Sequence, residues 1–209
     1  LEREYEDVAA VVAAVASASG EQVDVYGHSH GGIVAFGAAT LTGNIRRLVL
    51  YEGWPVPDPS IYGLPADVVR RMDKLLAEGD RDGVVEALFR SVEEMSDEDM
   101  AALRRAPSWP VRVAAAHTVT REILGATRAR LDAEQAAKFS VPVLLLIGEK
   151  STDPASREVG AVAAALPDAR LLVLAGQRHI ANILDPENFA KHLLEFLHRQ
   201  ARRTGGLSG

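Results

Sequence analysis

Apolar positions recur along the chain in two periods, and the switch between them divides it. In residues 1–18, Tyr5, Val8, Val11 or Val12, and Val15 fall at helical spacing with charges clustered early, and Gly20 marks the stop. Residues 22–26 predict a short strand. Residues 30–42 predict a helix rich in Ala and Gly, small enough to pack closely on a sheet, ended by Gly43-Asn44. Arg46 to Tyr51 is a strand of the buried type, stopped by Gly53 and Pro55. From Pro55 to about Ser140 the strand signal disappears. Helices are predicted at 65–78, 81–94, 97–105, 110–125 and 129–139, between turn signals at Asp58-Pro59, Gly63-Leu64-Pro65, Gly79-Asp80 and Pro107-Ser108-Trp109-Pro110. Ser96 followed by Asp97, Glu98 and Asp99 is a helix-start signature with Ser96 as the cap. Strands then resume at Val141 to Ile147 and Ala169 to Leu174, with helices at 155–166 and 187–200; the last carries Phe189, Leu193, Leu194 and Leu197 on one face.

Helix, strand, helix, strand is the order of an α/β fold with a mostly parallel sheet and crossover helices. The expected organisation is a core from residues 1–54 and 140–200, a helical cap from 55–139 inserted between two sheet strands, and a tail at 201–209. In such sheets ligands sit beyond the carboxyl ends of the strands. Ser29 and Glu52 both fall there.

Composition narrows this only slightly. The 209 residues, 47% of them apolar, suffice for one large domain with a sizeable core. A formal net charge of -6 argues against a nucleic-acid binder, which needs a concentrated basic face. The absence of cysteine removes a disulfide framework and a thiolate metal site, and fits a cytoplasmic protein. No apolar run approaches the length of a membrane span, and no signal peptide is visible. The chain opens on Leu1 and enters a helix at once, which reads as a segment of a longer protein.

The candidate chemistry centres on Gly27-His28-Ser29-His30-Gly31-Gly32, between a strand and a helix. This is the pattern G-x-S-x-G. A serine on a sharp strand-to-helix turn is forced out of the sheet with strained backbone angles, so small residues must flank it, here Gly27 and Gly31. The following helix points its free N–H groups and positive dipole end at the serine, where a developing negative charge is stabilised. A serine hydroxyl near neutral pH needs a base, and the base needs an acid to orient it. His179, in the loop Ala175 to Asn182 after the last strand, is the best base.

On these residues the chain resembles the α/β-hydrolase superfamily, in particular its cap-bearing esterase and haloperoxidase-like serine hydrolases. The resemblance covers Gly20 to Gly53 and Val141 to Leu197. Its most specific pieces are Val25 to Gly32 and Gly176-Gln177-Arg178-His179, with VPVLLLIGE between them. It implies an acid three residues after Gly148, but that position holds Ser151; Asp153 lies two residues further on. A minority of the superfamily instead places the acid directly after the preceding strand, where this chain has Glu52. Glu52 is therefore preferred, with Asp153 the alternative and Glu149 third. The resemblance also implies an oxyanion hole made by the backbone N–H of His30 and a second donor on a segment expected upstream of Leu1, along with the first strands of the sheet. Losing one such donor costs about 10²-fold to 10³-fold in turnover.

Other features read more plainly. His28 and His30 form H-x-H, but no further ligands stand at a supporting spacing, so no metal is expected. His117 reads as a buried, satisfied histidine of a cap helix. The acidic run Glu93 to Asp99 reads as a solvated face. Trp54, Trp109 and His28 are candidates for a substrate pocket under the cap, as are Phe89, Met72 and Met95, whose plainer reading, like that of the tryptophans, is cap core. The function expected is hydrolysis of a small, largely apolar ester or related acyl compound through an acyl-enzyme. No cofactor, nucleic acid or membrane partner is called for, and oligomeric state is left open. The rival readings are a low-turnover small-molecule binding or signalling protein on the same fold, and an inactive fragment.

Overall fold

The computed structural model describes residues 1–56, 65–91 and 93–198. The turn signals at Asp58-Pro59 and Gly63-Leu64, the end of the last expected helix and the tail at 201–209 lie outside them. Four parallel strands pair in the order β1 (Val23–His28), β2 (Ile45–Tyr51), β3 (Val143–Gly148) and β4 (Ala169–Leu174). Sequence explains the order of burial. The unbroken apolar runs, residues 48–51 of β2 and 143–147 of β3, lie in the inner strands, where Leu48, Leu50, Leu145 and Leu146 are fully buried. Each such side chain contributes about 2 kcal/mol relative to exposure. The mixed runs, with Asp24 in β1 and Arg170 in β4, form the two ends of the sheet.

Helix α1 (Glu2–Ser19) ends at Gly20 in the left-handed conformation (φ 74°), which a glycine adopts without a Cβ penalty. It packs on α2 (His30–Ala39) through Tyr5; a Cβ on Gly37 would come within 2.5 Å of that ring. Only glycine at position 37 accepts so close a neighbour.

Residues 66–137 carry six α-helices: α3 (Ala66–Ala77), α4 (Arg81–Ser91), α5 (Asp97–Arg105), α6 (Trp109–Ala114), α7 (Val119–Ala126) and α8 (Ala133–Ala137). Ser96 caps α5, its hydroxyl accepting from the Asp99 N–H at 3.1 Å. The expected helix 110–125 is broken: α6 ends at Ala114, a 3₁₀ turn spans Ala116–Thr118, and α7 begins at Val119. The turn leaves His117 exposed, contrary to expectation, its Nδ1 within 3.2 Å of the Ala114 carbonyl. These helices share a core of Met72, Val84, Val85, Phe89, Met100, Leu103 and Trp109. Ile180, which follows the last strand, is fully buried in the same cluster. Beyond β3, α9 (Asp153–Ala165) crosses to β4, and α10 (Ala181–Leu184) and α11 (Pro186–Leu197) complete the chain as described; α10 is too short to show in the periodicity.

Candidate active site

Ser29 sits between β1 and α2 at φ 54°, ψ −129°, a strained conformation for a residue with a side chain. Three glycines make that geometry possible. A Cβ on Gly27 would lie 2.5 Å from the Gly31 carbonyl oxygen, one on Gly32 would lie 2.3 Å from that of Gly53, and one on Gly53 would lie 1.8 Å from that of Ser29. The expectation for Gly31 is corrected: a Cβ there meets nothing within 4 Å, so the close approach falls on Gly32 and Gly53 instead. His30 opens α2, and first-turn N–H groups have no carbonyl of their own helix to bind. Its ring turns back toward α1, with Nε2 3.3 Å from Glu4 Oε2.

At the end of β2, Glu52 also takes a positive φ, of 44°. One carboxylate oxygen accepts from the Gly148 N–H at 2.8 Å and the Ser151 hydroxyl at 2.5 Å; the other lies 2.9 Å from His179 Nδ1. Ser151, at the position where the resemblance implied an acid, therefore holds the acid that faces His179. Asp153 does not take that place. It begins α9, is exposed and is absent from the wall of the cavity described below.

The loop carrying His179 is held at three points. The Tyr51 hydroxyl donates to the Arg178 carbonyl and accepts from the Ala181 N–H at 2.8 Å. His28 Nε2 lies 2.7 Å from the His179 carbonyl, so that nitrogen is the protonated one and donates. The His28 ring stacks on Tyr51 at 4.8 Å between centroids. Burial, with the neighbouring charge of His179, keeps His28 well below the usual histidine range and therefore neutral. Burial of Tyr51 raises its phenol, which stays protonated as this bonding requires.

A second carboxylate reaches the same histidine. Glu93, on the segment after α4, stands 3.2 Å from His179 Nδ1. The acidic run was expected to be solvated throughout. Only its later part is; Glu93 turns inward, and no periodicity marks an inward turn inside a run of charges. Burial lifts the Glu93 carboxyl above its ordinary value, and the charge of Glu52 adds to this against the pull of His179. For His179, burial disfavours the charged form, but Glu93 and the bond to Glu52 outweigh it, and the imidazole is raised. Glu52, Glu93 and His179 offer three ligand atoms within 4.8 Å of one another. They could close on a cation only by giving up the His179 to Glu52 hydrogen bond.

Ser29, His179 and Glu52 line one cavity of about 560 Å³. His28, Trp54 and Ser151 join them from the strand ends, Val85, Phe89, Arg112, Val119 and Ile123 from the helices, and Glu93 from the turn after α4. Of the aromatic residues expected there, Phe89 and Trp54 are present, and Trp54 donates to Glu158 Oε2 at 3.4 Å. Trp109 is absent. It is buried in the helical core with its N–H donating to Asp82 at 2.8 Å, because α6 turns that face inward to cover Met100 and Leu103. Arg112, on the same short helix, does line the cavity; one arginine among many gave no signal in the sequence.

A parallel sheet with a strained serine at the turn between β1 and α2, and a histidine in the loop after the last strand, defines an α/β hydrolase. The family model for the alpha/beta hydrolase family matches residues 1–192, and the chain belongs to that family. It is similar to an alpha/beta hydrolase from Sphaerobacter thermophilus DSM 20745, 30% identical with a TM-score of 0.71, covering 94% of this chain and 74% of that one. It is also similar to RutD of Pseudomonas savastanoi pv. phaseolicola, to which carbamate hydrolysis is ascribed: 27% identical over 185 residues, 83% of this chain and 67% of RutD. The fold is shared with a hydrolase from Pseudomonas aeruginosa PA01, 21% identical with a TM-score of 0.61 over 93% of this chain and 71% of the other. Among the described residues no helix is long and apolar enough to cross a membrane.

Proposed function

We propose that this chain is a serine hydrolase that cleaves a small ester or related acyl compound through an acyl-enzyme, with residues 55–139 serving as a cap over the site. Ser29 Oγ attacks the carbonyl carbon while His179 accepts its proton, and the tetrahedral oxyanion takes a hydrogen bond from the backbone N–H of His30. His179 then donates that proton to the leaving group, and water repeats the sequence to release the acid. Glu52 orients the imidazole and stabilises it when charged.

The observation that carries the reading is the Glu52 to His179 Nδ1 contact of 2.9 Å in the cavity that Ser29 also lines. A serine held at φ 54° by three close glycine contacts supports it, because strain of that kind is retained where a side chain must be presented in one direction. Esters and the carbamates ascribed to RutD share a polarised carbonyl bearing a leaving group, so either suits this arrangement. Stopped-flow hydrolysis of p-nitrophenyl acetate tests the scheme. A burst of one p-nitrophenol per protein ahead of a slower steady state is expected, and its absence together with unchanged turnover in Ser29→Ala would refute the acyl-enzyme.

A further inference from the structure

Arg112 is the one lysine or arginine among the described residues of the cavity wall. Its guanidinium carbon lies 5.3 Å from the centroid of the Phe89 ring, which lines the same cavity. Its Nε is buried and has no hydrogen-bond partner, and the side chain enters no ion pair among the described residues. Arg104, one helix away, shows how this layer treats a structural arginine. It bonds Asp82 and Glu86, each at 2.6 Å, and covers the Trp109 ring at 4.8 Å.

The acidic groups of the wall do not neutralise Arg112. Glu52 and Glu93 face His179, Glu158 accepts from Trp54, Glu122 lies 3.9 Å from Arg121, and Glu94 is exposed. A guanidinium stays charged in a protein even where burial pulls its pKa down, as it does here. Leaving a half-buried cation unpaired is costly unless a ligand completes it. The fork of a guanidinium matches the two oxygens of a carboxylate. Phe89 lies beside Arg112; Val85, Val119 and Ile123 add apolar wall to the same cavity, and the charge of Arg112 acts on His28 and His179 there.

We propose that Arg112 determines specificity at this site by binding a carboxylate-type monoanion on the substrate whose carbonyl Ser29 attacks. The substrate is then an acyl compound with an apolar body and one planar anionic end. This rests on the hydrolytic reading above, and two arms keep the failure of one apart from the failure of the other.

The kinetic arm compares p-nitrophenyl butyrate with the p-nitrophenyl monoester of succinate. The ratio of kcat/KM for the charged ester over the neutral one is expected to fall roughly 10-fold to 100-fold in Arg112→Gln, mainly through KM, and less in Arg112→Lys. The binding arm uses Ser29→Ala and titrates dicarboxylates of increasing chain length by calorimetry. Saturable binding of at least one is expected, lost when Arg112→Gln is added while the thermal midpoint is retained. An unchanged ester ratio, or dicarboxylate binding that survives Arg112→Gln, overturns the proposal. Should neither ester be turned over, the hydrolytic reading fails, and the binding arm still decides for or against Arg112 as an anion site.

Discussion

The two sides of the cavity are built by different means. On the sheet side, Ser29, Glu52 and His179 stand at strand ends and are fixed by backbone: two positive φ angles, glycine contacts closer than a Cβ permits, and a loop bonded through Tyr51 and His28. On the helical side, Arg112 is carried by a helix held through the packing of Met72, Phe89, Leu103 and Trp109, and Glu93 stands in the turn after α4, beside Glu94 at φ 49°. The first construction holds the three proposed reacting groups at one geometry. The second leaves the substrate-facing wall open to change with little cost to the first. The joint between them is the His179 loop, whose histidine meets both Glu52 and Glu93 at Nδ1, and whose Ile180 is buried in the helical core.

Perturbations on the sheet side are expected to be severe. Replacing Ser29 or His179 by alanine is expected to lower kcat for an activated ester by about 10⁵-fold to 10⁶-fold, measured at saturating substrate. Glu52→Gln preserves shape but removes the charge and is expected to cost about 10³-fold to 10⁴-fold, whereas Asp153→Asn leaves turnover unchanged. If Asp153→Asn were the damaging one, the assignment of the acid would be wrong.

Stability separates the glycines in the same spirit. Gly53→Ala drives a Cβ to 1.8 Å from the Ser29 carbonyl oxygen and is expected to destabilise by more than about 3 kcal/mol in urea unfolding. Gly31→Ala meets open space in a helix and is expected to stay within about 1 kcal/mol of the parent. Equal losses would mean that the turn is not held by those close contacts.

The smallest effect is expected from the helical side. Only neutral His179 can act as a base, and its pKa is raised, so the acid limb of the kcat/KM profile should lie above that of an ordinary histidine. Glu93→Gln removes a carboxylate that favours the charged imidazole. The limb should therefore move to lower pH, with kcat on the plateau little altered. A limb that stays in place would show that Glu52 alone sets the titration of His179.

This division also governs what could be read from the sequence. The four strands and the order of the α/β layers follow from apolar runs, Ser29 and His179 from their motif and loop at the strand ends, and Glu52 from the family resemblance. Backbone-built features leave motifs because glycine and turn residues must fall at fixed offsets. Glu93, Arg112 and the inward turn of Trp109 left none. Arg112 and Trp109 depend on how α4, α5 and α6 rotate against each other, and Glu93 on the turn after α4, where Glu94 takes a positive φ with no glycine to mark it; a charge run or a single arginine looks the same whether it faces water or a cavity. The break at Ala114 to Val119 likewise follows no glycine; the turn there is made by alanine and histidine in an otherwise helical pattern.

The central claim is that Ser29 is a nucleophile activated by the Glu52 and His179 pair. Intact-protein mass spectrometry after treatment with a fluorophosphonate tests it most directly. One adduct per chain is expected, mapped by peptide digestion to Ser29, absent in Ser29→Ala and slowed in Glu52→Gln. Labelling at another residue, or none from a folded chain, would contradict it.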